Sequence, residues 1–170
     1  KLTSIGSRAF AGCLSLNKID VPGSVKKIEK QAFRDCNALA DEQGLIIVNG
    51  ILFGTTQNMP ADVFVPDTVH RIDQNAFQDN AVLKSIRLPA GIQSIESYTF
   101  VGCKALIEVV FPDTLTEIKC YAFCSCKNLR KLILPAGLQE IEYHAFDGCG
   151  SLTEVVFPTR LREIQFNAFS

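Results

Sequence analysis

The chain lacks a surplus of either charge. Its 170 residues carry 17 Lys and Arg against 18 Asp and Glu, a formal net charge of −1. Nucleic acid is therefore not expected as a partner, because phosphate binding wants clustered Lys and Arg in excess. A membrane span is missing as well: the longest uncharged stretch, residues 43–61, is broken by Asn, Gln, Gly, Thr and Pro, so no direct membrane insertion is expected. Histidine is scarce, with only His70 and His144. No Gly-rich phosphate loop and no paired-carboxylate pocket can be picked out, so neither catalysis nor a cofactor is expected. What remains is an ordinary soluble composition, 47% hydrophobic and 21% charged, long enough for one substantial core.

The chain does have a period. Ala-Phe or Thr-Phe pairs end at Phe10, Phe33, Phe77, Phe100, Phe123, Phe146 and Phe169, and prolines fall at Pro22, Pro66, Pro89, Pro112, Pro135 and Pro158. Both series step by 23 residues, with a single step of 44. A fixed period in this range marks a solenoid, whose coils each lack a complete core and bury their apolar positions on their neighbours. The opening KLTSIGSRAF and the closing QFNAFS both fall inside the pattern. The chain is therefore expected to be a segment of a longer protein, with any leader or anchor outside it.

The coil running from Phe123 to Ala145 can be read side by side. Leu132 and Leu134 alternate with Lys131 and Ile133, as in a strand buried on one face. Pro135 closes that strand where a missing N–H is tolerated. Leu138 and Ile141 form a second inward pair. Phe146, Cys149 and Leu152, at steps of three, suit a tight 3₁₀-like turn. Stacked coils predict one parallel β-sheet face, short 3₁₀-like turns on the opposite side, and columns of Phe over Phe and Cys over Cys.

The segments LRKLIL and LIEVVF match the LxxLxL core of leucine-rich repeats. With the 23-residue period, the AFxGCxxL segment and the strand-ending proline, the chain resembles the BspA-like leucine-rich repeat class over essentially its whole length. The asparagine that commonly follows the strand in other leucine-rich repeats is absent. The resemblance implies a single leucine-rich repeat solenoid over 1–170, regular over 1–36 and 66–170 and irregular over 37–65. It also implies a surface protein of the kind found on mucosal bacteria and protozoan parasites, associated with adhesion.

The irregular stretch contains LIIVNGILF, whose Asn49-Gly50 pair between apolar β-formers predicts a hairpin with a type I′ turn. Leu45–Val48 is expected to replace the missing strand, with Ile51–Phe53 folding back across it and Asp62–Val65 resuming the sheet. The insertion is either a structural variant of the coil or a protruding recognition element.

Seven cysteines is an odd number, so at least one is unpaired within the chain. Cys13, Cys36, Cys103, Cys126 and Cys149 share one repeat position, which reads as a column of small apolar side chains. Cys120 and Cys124 lie off the column and are expected at the surface. A zinc site would recruit Cys120, Cys124, Cys126 and His144, but C-x₃-C-x-C is not a zinc spacing and Cys126 points inward. A catalytic Cys120–His144 pair lacks an orienting third group.

Binding by a solenoid is expected on its outward strand positions. One row holds Glu108, Lys131 and Glu154, expected to pair across strands. The adjacent row holds Phe64, Arg87, Val110, Ile133 and Val156, an exposed apolar stripe with a charged border. Such a stripe marks a contact surface, although Val and Ile are favoured on any sheet face. The acidic row Glu117, Glu140 and Glu163 reads as a solvated face. Three functions fit: a secreted or cell-surface module binding a host or microbial surface protein, an intracellular scaffold suited to free thiols, or a passive spacer. Uncapped coil faces also suggest end-to-end self-association of the segment.

Overall fold

The computed structural model describes residues 1–170 as a stack of about seven coils with almost no helix. In chain order, β1 (Ser4–Ile5) and β2 (Lys27–Ile28) belong to the first two coils, and β3 (Leu45–Val48) and β4 (Ile51–Thr55) form a hairpin. Each later coil then contributes a three-residue strand and a two-residue strand: β5 (Asp62–Phe64) with β6 (Arg71–Ile72), and β7 (Ser85–Arg87) with β8 (Ser94–Ile95). The series continues with β9 (Glu108–Val110) and β10 (Glu117–Ile118), then β11 (Lys131–Ile133) and β12 (Glu140–Ile141), then β13 (Glu154–Val156) and β14 (Glu163–Ile164).

The three-residue strands pair in parallel as β5–β7–β9 and β11–β13, with residues 23 apart in register, such as Val63 with Ile86 and Ile86 with Val109. Their middle residues face in and the flanking residues face out. The expectation of one parallel sheet needs extending, because the two-residue strands make a second, interrupted parallel ladder on the far side of the proline corner, as β1–β2 and as β8–β10–β12–β14. At that corner Pro135 ends the first strand, and its carbonyl accepts the Leu138 N–H at 3.0 Å. Gly137 lies so close to the preceding coil that an added Cβ would meet the Asp113 carbonyl at 2.3 Å. A two-residue strand has no alternation to detect, so this ladder leaves no pattern of its own in the sequence.

The opposite side carries the short 3₁₀-like turns expected there. Bonds from Cys124 to Tyr121, from Cys126 to Phe123 and from Leu129 to Cys126 are all three residues long, yet they do not run on as a helix. Left-handed residues interrupt them twice per coil, at Tyr121 (φ 57) and Ser125 (φ 62). Those residues turn their N–H groups along the stack, where Ser125 donates to Asp147 at 2.7 Å. The one 3₁₀ segment is Asn37–Leu39.

Inside, the phenylalanines form the expected column. Phe77, Phe100, Phe123, Phe146 and Phe169 stack nearly parallel at 4.9–5.1 Å. Phe10 and Phe33 stack at 5.0 Å, and Phe33 meets Phe53 edge-on at 5.3 Å, so the hairpin fills the break in the series.

The hairpin corrects one expectation. It turns at Asn49 (φ 51) and Gly50 (φ 71), but β4, not β3, joins the stack, pairing in parallel with β6 in the second ladder. β3 pairs with β4 and otherwise makes one isolated antiparallel bridge, Ile46 to Ala40. The reason is that both faces are apolar. Leu45 and Leu52 bury with the later coils, whereas Ile46, Val48, Ile51 and Phe53 bury with the first two. The hairpin is thus a partition between two cores.

Candidate interaction face

Each three-residue strand is held by its buried middle residue, which aims the two flanking side chains at solvent. Phe64, Val110, Ile133 and Val156 are 64%, 45%, 60% and 46% exposed. Phe64, Arg87 and Val110 are consecutive register partners, and Ile133 partners Val156. The row is therefore one surface rather than scattered apolar positions. Asp20, its counterpart in the first coil, is exposed but lies in no strand.

The charged border is only half as expected. Lys131 Nζ meets Glu154 Oε2 at 3.1 Å with both side chains half exposed, worth under about 1 kcal/mol. Glu108 makes no ion pair with Lys131, because β9 and β11 are not laddered. The N–H groups of Val65, Leu88 and Leu134 each donate to the next strand at 3.0–3.2 Å, whereas the matching bond from Phe111 to the Ile133 carbonyl is absent. At the other end the strands stay tied, with Arg130 N–H 3.4 Å from the Ile107 carbonyl. The result is a wedge of about 380 Å³ lined by Ile107, Val110, Phe111, Ile133 and the charged Glu108, Lys131 and Arg130. On its other side Val110 borders an open groove of about 740 Å³ that also takes in Phe64, Arg87 and the corner prolines Pro66, Pro89 and Pro112.

The cysteine column proves to be hydrogen-bonded as well as packed. The thiols of Cys36, Cys103, Cys126 and Cys149 each donate to the phenylalanine carbonyl of the coil before, at 3.0–3.2 Å. A small side chain with one weak donor suits this site. Burial pushes the Cys103 thiol up to about 12, and the neighbouring Cys149 thiol and then burial raise Cys126. Cys13, in the terminal coil, is exposed. Cys120 and Cys124 are half-buried rather than fully at the surface, Cys120 lying 3.0 Å from Ser97 Oγ. Cys120, Cys124, Cys126 and His144 do not converge as a metal-binding group. His144 instead holds Asp147 through Nδ1 at 3.1 Å and stacks on Tyr121 at 5.0 Å.

Tyr98, Tyr121 and His144, which share one repeat position, form a stacked ladder on the turn side, at 5.2 and 5.0 Å. Two further features escaped the sequence reading. The row Glu117, Glu140, Glu163 is in register but not wholly solvated, since burial and then neighbouring carboxylates raise Glu117. Asp73 is a buried carboxylate that accepts the Gln31 N–H across the hairpin gap and faces Arg71. Nothing in its own sequence position announces that burial.

A solenoid of short parallel ladders with a rigid apolar face and no convergent catalytic cluster is, as a class, a leucine-rich repeat interaction module. The model of the BspA type leucine rich repeat region matches six copies across residues 1–43 and 52–170. The chain belongs to that family. Regions of this kind are as a rule non-catalytic.

Among solved structures, a leucine rich repeat protein of T. pallidum is 30% identical, with a TM-score of 0.64 over 70% of this chain and 57% of that one. The pneumococcal vaccine antigen PcpA is 21% identical, with a TM-score of 0.66 over 81% of this chain and 38% of that one. A leucine rich cell surface protein of Faecalibacterium prausnitzii is 23% identical, with a TM-score of 0.58 over 91% of this chain and 51% of that one. The chain thus spans between about two fifths and three fifths of these relatives. No curated protein matches it by sequence. No helix is long and apolar enough to cross a membrane.

Proposed function

We propose that this segment is a non-catalytic adhesion module of a secreted or cell-surface protein, binding a surface protein of a host or of another microbe. The observation that carries the reading is the row Phe64, Arg87, Val110, Ile133, Val156, which leaves a rigid sheet on one face beside Glu108, Lys131 and Glu154. An apolar strip for burial with a charged border for register is the anatomy of a protein contact. That the similar F. prausnitzii protein is a cell surface protein and PcpA a vaccine antigen favours the same location.

The test is an array of extracellular-matrix and bacterial surface proteins probed with the wild type and with Ile133→Asp. The variant is expected to lose the wild-type hits and keep the wild-type melting curve, because the position is outward. Normal binding by the variant would remove this face as the site.

A second reading, an intracellular scaffold, draws support from seven free cysteines, since reducing compartments keep thiols reduced. Fractionation of cells making the full-length protein separates the two readings.

A further inference from the structure

We infer that the wedge between β9 and β11 is an anchor slot, which receives one branched aliphatic or aromatic side chain from an extended segment of a partner protein, with a carboxylate beside it meeting Arg130. This rests on the protein-contact reading above and adds which strand pair reads the partner and what it reads.

The opening has an identifiable cause. The inward column at the end of each long strand runs Val65, Leu88, Phe111, Leu134 and, in the terminal coil, Phe157. Phe111 is larger than its neighbours, only half-buried, and turned edge-on to Phe123 at 5.9 Å. Its bulk spreads the coil step at the proline end, and the ladder opens there and nowhere else in the run from β5 to β13.

The wedge is tied at its far end by the Arg130–Ile107 bond. It is therefore too narrow for an added strand but wide enough, at about 380 Å³, for a side chain. Ile107, Val110, Phe111 and Ile133 give it apolar walls. The Phe111 N–H and the Ile133 carbonyl, which lack each other as partners, leave one donor and one acceptor at the mouth of the wedge.

Charge selects the flank. Lys131 is held by Glu154, whereas Arg130 is exposed and makes no ion pair. Glu108, exposed and without an ion pair, makes the β9 side of the slot acidic, so a carboxylate beside the anchoring residue is favoured only towards Arg130 on β11's side.

The experiment is an amide-resolved NMR titration of the 170-residue chain with three capped dipeptides: acetyl-Leu-Glu-amide, acetyl-Leu-Lys-amide and acetyl-Gly-Glu-amide. Saturable shifts are expected at Val110, Phe111 and Ile133, tightest for Leu-Glu. Loss of the leucine is expected to weaken binding by about tenfold, the lower end of what burying such a side chain yields. Phe111→Leu, which copies Leu88 and Leu134, is expected to close the ladder and abolish the shifts without lowering the melting temperature. Arg130→Glu is expected to reverse the preference between Leu-Glu and Leu-Lys.

Unmoved amides in the wild type overturn the slot, and need no variant to fold. So does dipeptide binding that survives Phe111→Leu. If the dipeptides bind as described but the array yields no partner, the slot stands and the wider adhesion reading falls.

Discussion

Truncating Phe123 tests whether the column is the core. The ring is fully buried. It lies between Phe100 at 4.9 Å and Phe146 at 5.1 Å, both nearly parallel, with Phe111 edge-on at 5.9 Å. Deleting a buried phenylalanine costs about 3–5 kcal/mol, through lost burial and the cavity left behind. Three of its contacts are aromatic pairs worth about 0.5–1.5 kcal/mol each beyond area, so Phe123→Ala should fall in the upper half of that range. Phe10 is a built-in control, being half-buried with one stacked neighbour, and Phe10→Ala should cost only about 1–2 kcal/mol. Coils of a solenoid can open separately, so a single global free energy is not the right readout. Amide hydrogen exchange, read coil by coil under native conditions, gives the local cost, and urea unfolding gives its sum. Loss of protection should centre on the coils of Phe100, Phe123 and Phe146. An equal cost for Phe10→Ala and Phe123→Ala, or protection lost evenly along the chain, would refute the column as the source of stability.

A bulky maleimide should label Cys13 quickly, Cys120 and Cys124 slowly, and the buried Cys36, Cys103, Cys126 and Cys149 not at all in the native state; equal rates at all seven positions would contradict the inward assignment. Asp73 supplies a pH test. Burial, its largest influence, raises its carboxyl above the ordinary value despite the Gln31 N–H and Arg71. A raised folded pKa means that stability is fully present below the unfolded pKa of about 3.9 and is lost as pH rises through the folded value. Asp73→Asn should therefore gain on the wild type as pH rises through that window and match it below, in paired thermal melts; a variant that loses ground over the same rise would show that the charged form is the favoured one.

Most of the coil was legible because the solenoid repeats every decision. A Phe, a Cys or a Pro that recurs at one position reports a shared environment even without neighbouring information, and the strand, the proline corner and the two inward columns all followed. What did not follow depends on a single coil or on backbone sign. The second ladder has strands two residues long, such as Glu140–Ile141, too short for a period. The left-handed residues are more often residues such as Tyr121, Ser125 and His144 than glycine, so composition did not mark the turns. The hairpin's partition role needed knowledge of both its faces at once, since Leu45 and Ile46 are adjacent in sequence yet belong to different cores. The outward row was readable from alternation. Its interruption between β9 and β11 was not, because a phenylalanine in place of leucine looks like a conservative choice until its ring has to fit a coil step.

The hairpin and the candidate face turn out to be linked. The first two coils carry no three-residue strand, and the long ladder begins with β5, directly after the hairpin returns the chain to the stack. The face therefore has a defined edge rather than running the length of the solenoid, and Phe64 stands at that edge with Gln43 closing the groove beside it. On the turn side the two cores are joined across the insertion by Asp73 accepting the Gln31 N–H and by Arg71 donating to the Ile28 carbonyl at 2.8 Å. Regular coils make three backbone bonds at the equivalent step, as Phe100, Gly102 and Tyr98 do to the coil after them. Replacing that repeated ladder with side-chain bonds concentrates the joint in a few polar atoms. The later coils, which hold the whole candidate face, are thus packed as one unit by the 32-residue core. The first two coils are attached to them through the hairpin and this polar joint. A partner on the long-ladder face meets only the later unit, so a substitution at the joint such as Asp73→Asn should change stability and leave the face's geometry intact.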